Sequence, residues 1–206
     1  LIPNFLLPGT LPETPNLATL DRPALKVIRE IVDEDTICLS MGAMTGGQDL
    51  RKGTKQAFQI LKCISRPYVL ITFGGRLNFE APACVKHINL GLLPSSEVLD
   101  VLSLSDLVIV PSLEDNYPNI LLESLAMGCR TLCFQYGGGG PEMADIAHPD
   151  AFYVIPYVDD CRLDAAEIIN GLTVLSATQR EINLKHLIEH TQSSKIFETY
   201  KKIYNN

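Results

Sequence analysis

Short apolar runs and segments of helical period alternate along most of the chain. The runs TICLSMG (36–42), YVLITFGG (68–75), KHINLG (86–91), LVIVPS (107–112), RTLCF (130–134) and a stretch near FYVIP (152–156) have the length and composition of strands. Between them, residues 51–65 place Ala57, Ile60, Leu61 and Ile64 on one helical face, and SSEVLDVLSLSD (95–106) opens with serine caps and a glutamate. A further helix follows LVIVPS, and a short one is predicted from Pro141. The LVIVPS run has no polar alternation, the mark of a strand covered on both faces. Strand and helix in alternation predict a parallel, doubly wound α/β sheet of Rossmann-like type. The last fifty or so residues read as helices over 163–175, 178–190 and 194–206, and the proline-rich residues 1–20 as an extended lead-in.

The chain of 206 residues is 46% hydrophobic and 20% charged, enough for one domain with a substantial core. A net charge of -7 opposes the broad basic footprint of a nucleic-acid binder, so any anion must be held by a local site. The six cysteines, Cys38, Cys63, Cys84, Cys129, Cys133 and Cys161, form no CxxC pair, and read as buried, reduced thiols of a cytoplasmic protein. The four histidines suggest no metal constellation, and no cofactor is expected. No run approaches a membrane span, and LIPNFLLPGT lacks the basic start of a signal peptide. Without an initiator methionine, the sequence is expected to be a piece of a longer one.

In a sheet of this kind ligands bind beyond the carboxyl ends of the strands, here the turns after residues 42, 74, 91, 112 and 135. The richest is SLEDNYPNILLESLAMGC (112–129). Pro118 suits a first helical turn, which would leave the amides of Asn119, Ile120 and Leu121 as donors at the positive end of the helix, able to hold phosphate without basic side chains. Asn116, Asn119 and Glu123 share one face, whereas Leu121, Leu122 and Leu125 turn toward the sheet. Asp115 precedes the helix, eight positions before Glu123. Two acceptors so placed can bracket a hydroxyl-rich ligand, although a plain amphipathic helix capped by Asp115 would produce the same pattern. The RKG stretch (51–53) puts Arg51 and Lys52 where cations need an anionic partner or solvent. GGGG (137–140) is either a flexible turn or a close approach of backbone to ligand. MGAMTGG (41–47) contains no GxGxxG and no P-loop, which argues against a dehydrogenase and an NTPase.

The block LSDLVIVPSLEDNYPNILLESLAMGCRTLCFQYGGGGPEM resembles the carboxy-terminal, donor-binding domain of family 4, group 1 glycosyltransferases, retaining enzymes of the GT-B fold. The strand ending in PS, the acid and Glu with seven residues between, ESLAMGCRTL and GGGPE follow the family pattern, as do RKG, GLLPSSEVLDVLSLSD, LIPNF and YKKIY in order along the chain. The resemblance implies that Asp115 and Glu123 form the catalytic acid pair, Glu123 accepting from ribose hydroxyls and Asp115 from those of the transferred sugar. Backbone at Asn116, Tyr117, Pro118, Asn119 and Ile120 would meet the sugar and diphosphate, Lys52 and Arg51 would neutralise the diphosphate, and Leu92 and Leu93 would flank the base. The sequence departs from the pattern in having Gly42-Ala43, or Thr45-Gly46 if no gap is allowed, for a Gly-Arg pair, Asp115 for Glu, and NYP for GFG.

The resemblance further implies a domain layout of lead-in 1–20, nucleotide-sugar-binding domain 21–192 and a terminal helix 193–206 that packs on an absent amino-terminal acceptor domain. The partners would be a nucleoside-diphosphate sugar of UDP or GDP type and that domain, through which any peripheral membrane association would run. The acceptor would be a saccharide or glycolipid hydroxyl, and this chain alone would transfer little or nothing. A GT-B-like sugar-nucleotide epimerase and a non-catalytic nucleotide-binding module remain open alternatives.

Overall fold

The computed structural model describes residues 28, 31, 35–43, 49–75, 80–115, 118–157 and 161–193. Six strands, β1 (Ile37–Ala43), β2 (Tyr68–Gly74), β3 (Val85–Asn89), β4 (Leu107–Val110), β5 (Arg130–Phe134) and β6 (Phe152–Ile155), pair in parallel in the order β3-β2-β1-β4-β5-β6. The helices are α1 (Thr54–Cys63), α2 (Ser95–Leu104), α3 (Asn119–Ala126), α4 (Gly140–Ala144), α5 (Cys161–Gly171) and α6 (Ala177–Ser193). This is the doubly wound parallel sheet expected from the alternation. The strand order reverses between β1 and β4, the switch point where such sheets open a crevice.

Alternation along each strand divides the core in two. Ile37, Leu39, Met41, Tyr68, Leu70, Leu107, Ile109, Leu132 and Phe134 meet Ala57, Ile60 and Leu61 of α1 and Ala165, Ala166 and Ile169 of α5 on one face. Their neighbours Cys38, Val69, Ile71, Phe73, Val108, Val110 and Cys133 meet α2, α3 and α6 through Val101, Leu102, Leu121, Leu122, Leu125 and Leu187 on the other. Strands buried on both faces explain why the sequence shows apolar runs where a half-solvated sheet would alternate.

Three local expectations are corrected. Helix α1 starts at Thr54, because Gly53 takes a left-handed φ of 60° that separates it from a 3-10 turn at Leu50–Lys52. Helix α2 begins after Pro94 without a side-chain cap, the Pro94 carbonyl accepting from the Glu97 and Val98 amides at 2.9 and 3.1 Å. Helix α5 ends at Gly171, short of 175, and residues 172–176 connect it to α6 without regular structure. Residues 1–20 and 194–206 lie outside the described residues, so the lead-in and terminal helix do too.

A buried carboxylate ties the amino-terminal end of the sheet to the loop before α6. Asp106, 3% exposed, accepts from the Cys38 amide through Oδ2 at 2.8 Å and from the Leu175 amide through Oδ1 at 2.6 Å. Arg180 of α6 donates to the Ser105 carbonyl at 2.8 Å, and Asn183 donates to the Gly128 carbonyl at 3.0 Å. Gly128 has φ 67°, and a Cβ there would lie 2.4 Å from the Arg180 carbonyl oxygen, so α6 docks on a turn that only glycine allows. Asp106→Ala orphans two buried amides, each costing about 1–3 kcal/mol. Chemical denaturation is expected to show a loss of roughly 2–5 kcal/mol, far above that of an ordinary surface substitution.

Candidate functional site

The turns leaving β1 and β4 are joined at the switch point. Asp49 caps the Leu50–Lys52 turn: its carboxylate accepts from the Arg51 amide at 3.0 Å and from Arg51 Nε and Nη2 at 3.1 and 2.8 Å. The Arg51 hydrogen bonds hold the Asp49 carboxyl below its usual range, and Asp49 raises Arg51 in return. The Arg51 carbonyl accepts from the Leu113 and Glu114 amides at 2.7 and 3.2 Å, which fastens the loop after β4 to this turn. Gly53 lies against the Pro111 carbonyl so closely that a Cβ would sit 1.8 Å from its oxygen.

This clamp brings Lys52 to Asp115. Their ammonium and carboxylate form an ion pair, with side chains 35% and 19% exposed. The two basic residues of RKG therefore have different fates: Lys52 pairs with Asp115 on the loop after β4, while Arg51 is held by Asp49 with its side chain 66% exposed.

Helix α3 follows directly. Pro118, at φ -63° and ψ 120°, is the residue before the first helical turn, one position earlier than the sequence suggests. Its carbonyl accepts from the Leu121 amide at 3.0 Å, so Asn119 and Ile120, without Leu121, keep the amides that lack an intrahelical acceptor. Leu121, Leu122 and Leu125 are buried, Asn119 is exposed and Glu123 is half-buried, as the helical period requires. Burial pushes the Glu123 carboxyl above its usual value. Asn116 and Tyr117, between Asp115 and Pro118, lie outside the described residues.

After β3, Gly91 has φ 66° and its carbonyl accepts from the Gly74 amide at 2.7 Å. The turn leaves Leu92 75% exposed while Leu93 packs partly on the core. After β5, a Cβ on Gly137 would sit 2.5 Å from the Ser112 carbonyl oxygen, so the close backbone approach made by the glycine run is to the β4 loop. Gly138 and Gly139 take φ of 65° and 72° on the way into α4.

Cysteine burial departs from expectation. Cys38, Cys129 and Cys133 are buried, and desolvation pushes the Cys129 and Cys133 thiols up to about 11 and about 12, but Cys84 in the loop before β3 is exposed and Cys63 half-buried. His186 and His190 stack with ring centroids 3.8 Å apart, and His148 meets His186 edge-on at 5.2 Å. Among the described residues no group of three or more His, Cys, Asp or Glu could hold a metal ion. No described helix is long and apolar enough to cross a membrane.

Two contributors escaped the sequence reading. Asp49 was hidden because an acid two residues before an arginine is unremarkable until the turn folds both onto one carboxylate. Gly53 was noted only as part of RKG, and its need for φ 60° depends on Pro111 being there.

Fold and crevice together define a Rossmann-like α/β domain of the type found in GT-B glycosyltransferases. Among solved structures, the chain is similar to WaaG, a glycosyltransferase involved in lipopolysaccharide biosynthesis, at 14% identity and TM-score 0.59, over 88% of this chain and 50% of that one. It is also similar to an α,α-trehalose 6-phosphate synthase from Burkholderia multivorans, at 12% identity and TM-score 0.61, over 84% of this chain and 42% of that one. A third is a trehalose-6-phosphate protein from E. coli bound with UDP-2-fluoro glucose, at 13% identity and TM-score 0.59, over 83% and 43%. At these identities the likeness is one of fold, and the chain spans about half the length of the structures it matches. No family model and no curated protein matches the sequence.

Gly53→Ala forces a left-handed φ on alanine and drives a methyl into the Pro111 carbonyl. A destabilisation of roughly 2 kcal/mol or more is expected in urea unfolding.

Proposed function

We propose that this chain is the donor-binding domain of a retaining glycosyltransferase, a hexosyltransferase that moves a sugar from a nucleoside diphosphate to a saccharide or glycolipid hydroxyl. The observation that carries the reading is the assembly at the switch point: Lys52 paired with Asp115 on a loop that leads into the amino terminus of α3, with Glu123 desolvated on the same helix. An anion at the Asn119 and Ile120 amides meets the positive end of the helix, and Lys52 supplies a mobile point charge. Departure of a nucleoside diphosphate develops negative charge on the leaving oxygen, which preorganised donors stabilise.

The similar solved structures support this reading by their chemistry. One holds UDP-2-fluoro glucose, and another, matched at 13% identity and TM-score 0.57, concerns glycosyl transfer with retention by trehalose-6-phosphate synthase. In this proposal Glu123 accepts from the ribose hydroxyls and Asp115 from the sugar. The region 21–192 is the donor domain, 1–20 the linker and 193–206 a helix that packs on a separate acceptor domain. Acceptor binding and part of the catalytic machinery reside on that domain, in the cytoplasm.

Titration calorimetry with UDP, GDP and ADP tests the core of the reading. One nucleotide is expected to bind selectively, and Glu123→Ala to weaken it by about 1.5–3 kcal/mol through loss of charge-assisted bonds. Equal weak heats for all three, untouched by the substitution, would overturn it.

Affinity is also expected to depend on pH. The grip on ribose needs the Glu123 carboxylate, and burial raises its pKa. Binding is therefore complete well above that raised value and falls as pH drops through it, approaching about tenfold per pH unit below it. The decline begins at higher pH than an ordinary glutamate would impose, and Glu123→Gln should flatten the profile.

A further inference from the structure

A diphosphate site needs positive charge, yet both cations of the Leu50–Lys52 turn are already paired. Arg51 gives two guanidinium bonds to Asp49, and Lys52 gives its ammonium to Asp115. Glu114, next to Asp115, is close enough to add to the field that raises Arg51. On the described residues of the two loops, 49–53 and 111–115, the three carboxylates of Asp49, Glu114 and Asp115 outnumber the two cations, Arg51 and Lys52, by one. Neither cation is free to meet an incoming diphosphate unless one of these pairings opens.

The two pairings are not equally easy to open. Asp49 holds Arg51 through both ends of its fork and also caps the Arg51 amide, so releasing it would undo the turn that carries Lys52. The Lys52–Asp115 pair joins two separate segments through one ammonium on a flexible stem, and that stem can redirect its charge by rotamer changes alone. The backbone beneath it, clamped by Gly53 on Pro111 and by Leu113 on Arg51, does not have to move.

We infer that ligand binding at this site is a counter-ion exchange, in which the diphosphate takes Lys52 away from Asp115 and the freed carboxylate accepts hydrogen bonds from hydroxyls of the sugar on the same ligand. The inference rests on the nucleotide-sugar reading above and assigns Asp115 a second role, as a competitor that makes the site discriminate. A bare nucleoside diphosphate strips a half-buried carboxylate of its cation without replacing it. A sugar nucleotide fills the carboxylate again, so the sugar contributes to affinity through Asp115.

Four proteins test this by calorimetry: the wild-type chain, Asp115→Asn, Lys52→Met and the double variant, each titrated with UDP, GDP, ADP and their glucose conjugates. Asp115→Asn is expected to bind the bare nucleotide about two- to fivefold more tightly than wild type, because its competitor for Lys52 is gone. In the Lys52→Met background the same substitution should bring no gain, and in Asp115→Asn the advantage of the sugar nucleotide over the bare nucleotide should shrink. Unchanged or weaker nucleotide binding by Asp115→Asn would overturn the inference. So would an equal gain without Lys52, which would mean simple repulsion, or a wild type that binds bare and glucose-bearing nucleotides equally. Those outcomes leave nucleotide binding itself intact. No binding of any nucleotide to any of the four would overturn both the inference and the function on which it rests.

Discussion

One carbonyl, that of Arg51, carries the geometry on which the crevice depends. It accepts two amides from the loop after β4, at Leu113 and Glu114, while the next glycine in its own turn presses on Pro111. These contacts join the chain leaving β1 to the chain leaving β4, across the point where the sheet reverses its winding. The hydrophobic core adds to this junction through Leu113, which packs against one of the two clusters. Backbone groups near a buried strand end must find partners, and here they find each other, which holds the side chains of Lys52 and Asp115 face to face.

The consequence is a site whose charges are prearranged yet not spent. Arg51 is tied back to the residue that caps its own turn, and Lys52 is tied across to the neighbouring loop. Glu123, half-buried on α3, bears the cost of its desolvation as a raised pKa. Three acids thus have three environments: Asp49 held below its usual range by Arg51, Asp115 in an ion pair, and Glu123 desolvated.

The rest of the molecule makes this arrangement rigid. The two cores fill both faces of the sheet, and α6 is locked to the turn after α3 through Gly128, Asn183 and Arg180. Helix α3, whose amino terminus opens on the crevice, is therefore supported at its far end by α6 and along its buried face by Leu121, Leu122 and Leu125. The Ser124 hydroxyl adds a bond to Thr131 of β5 at 2.7 Å.

Hydrophobic period alone determined the secondary elements, the parallel class of the sheet and the inward face of α3, because burial on both faces of a strand and on one face of a helix writes directly into residue order. Spacing also singled out Asp115 and Glu123 as candidates, and the family resemblance added Lys52, which the structure pairs with Asp115. Tertiary structure alone decided which cation meets which acid. Arg51 and Lys52 are adjacent and chemically alike in the sequence, and they part company only because Asp49 folds back on one and the β4 loop reaches the other. The same holds for Gly53 and Gly137, which look like turn glycines until the carbonyls of Pro111 and Ser112 arrive against them. Contacts between segments distant in the chain depend on how strands are ordered and how loops pair their backbone groups, and no local pattern of residues encodes that.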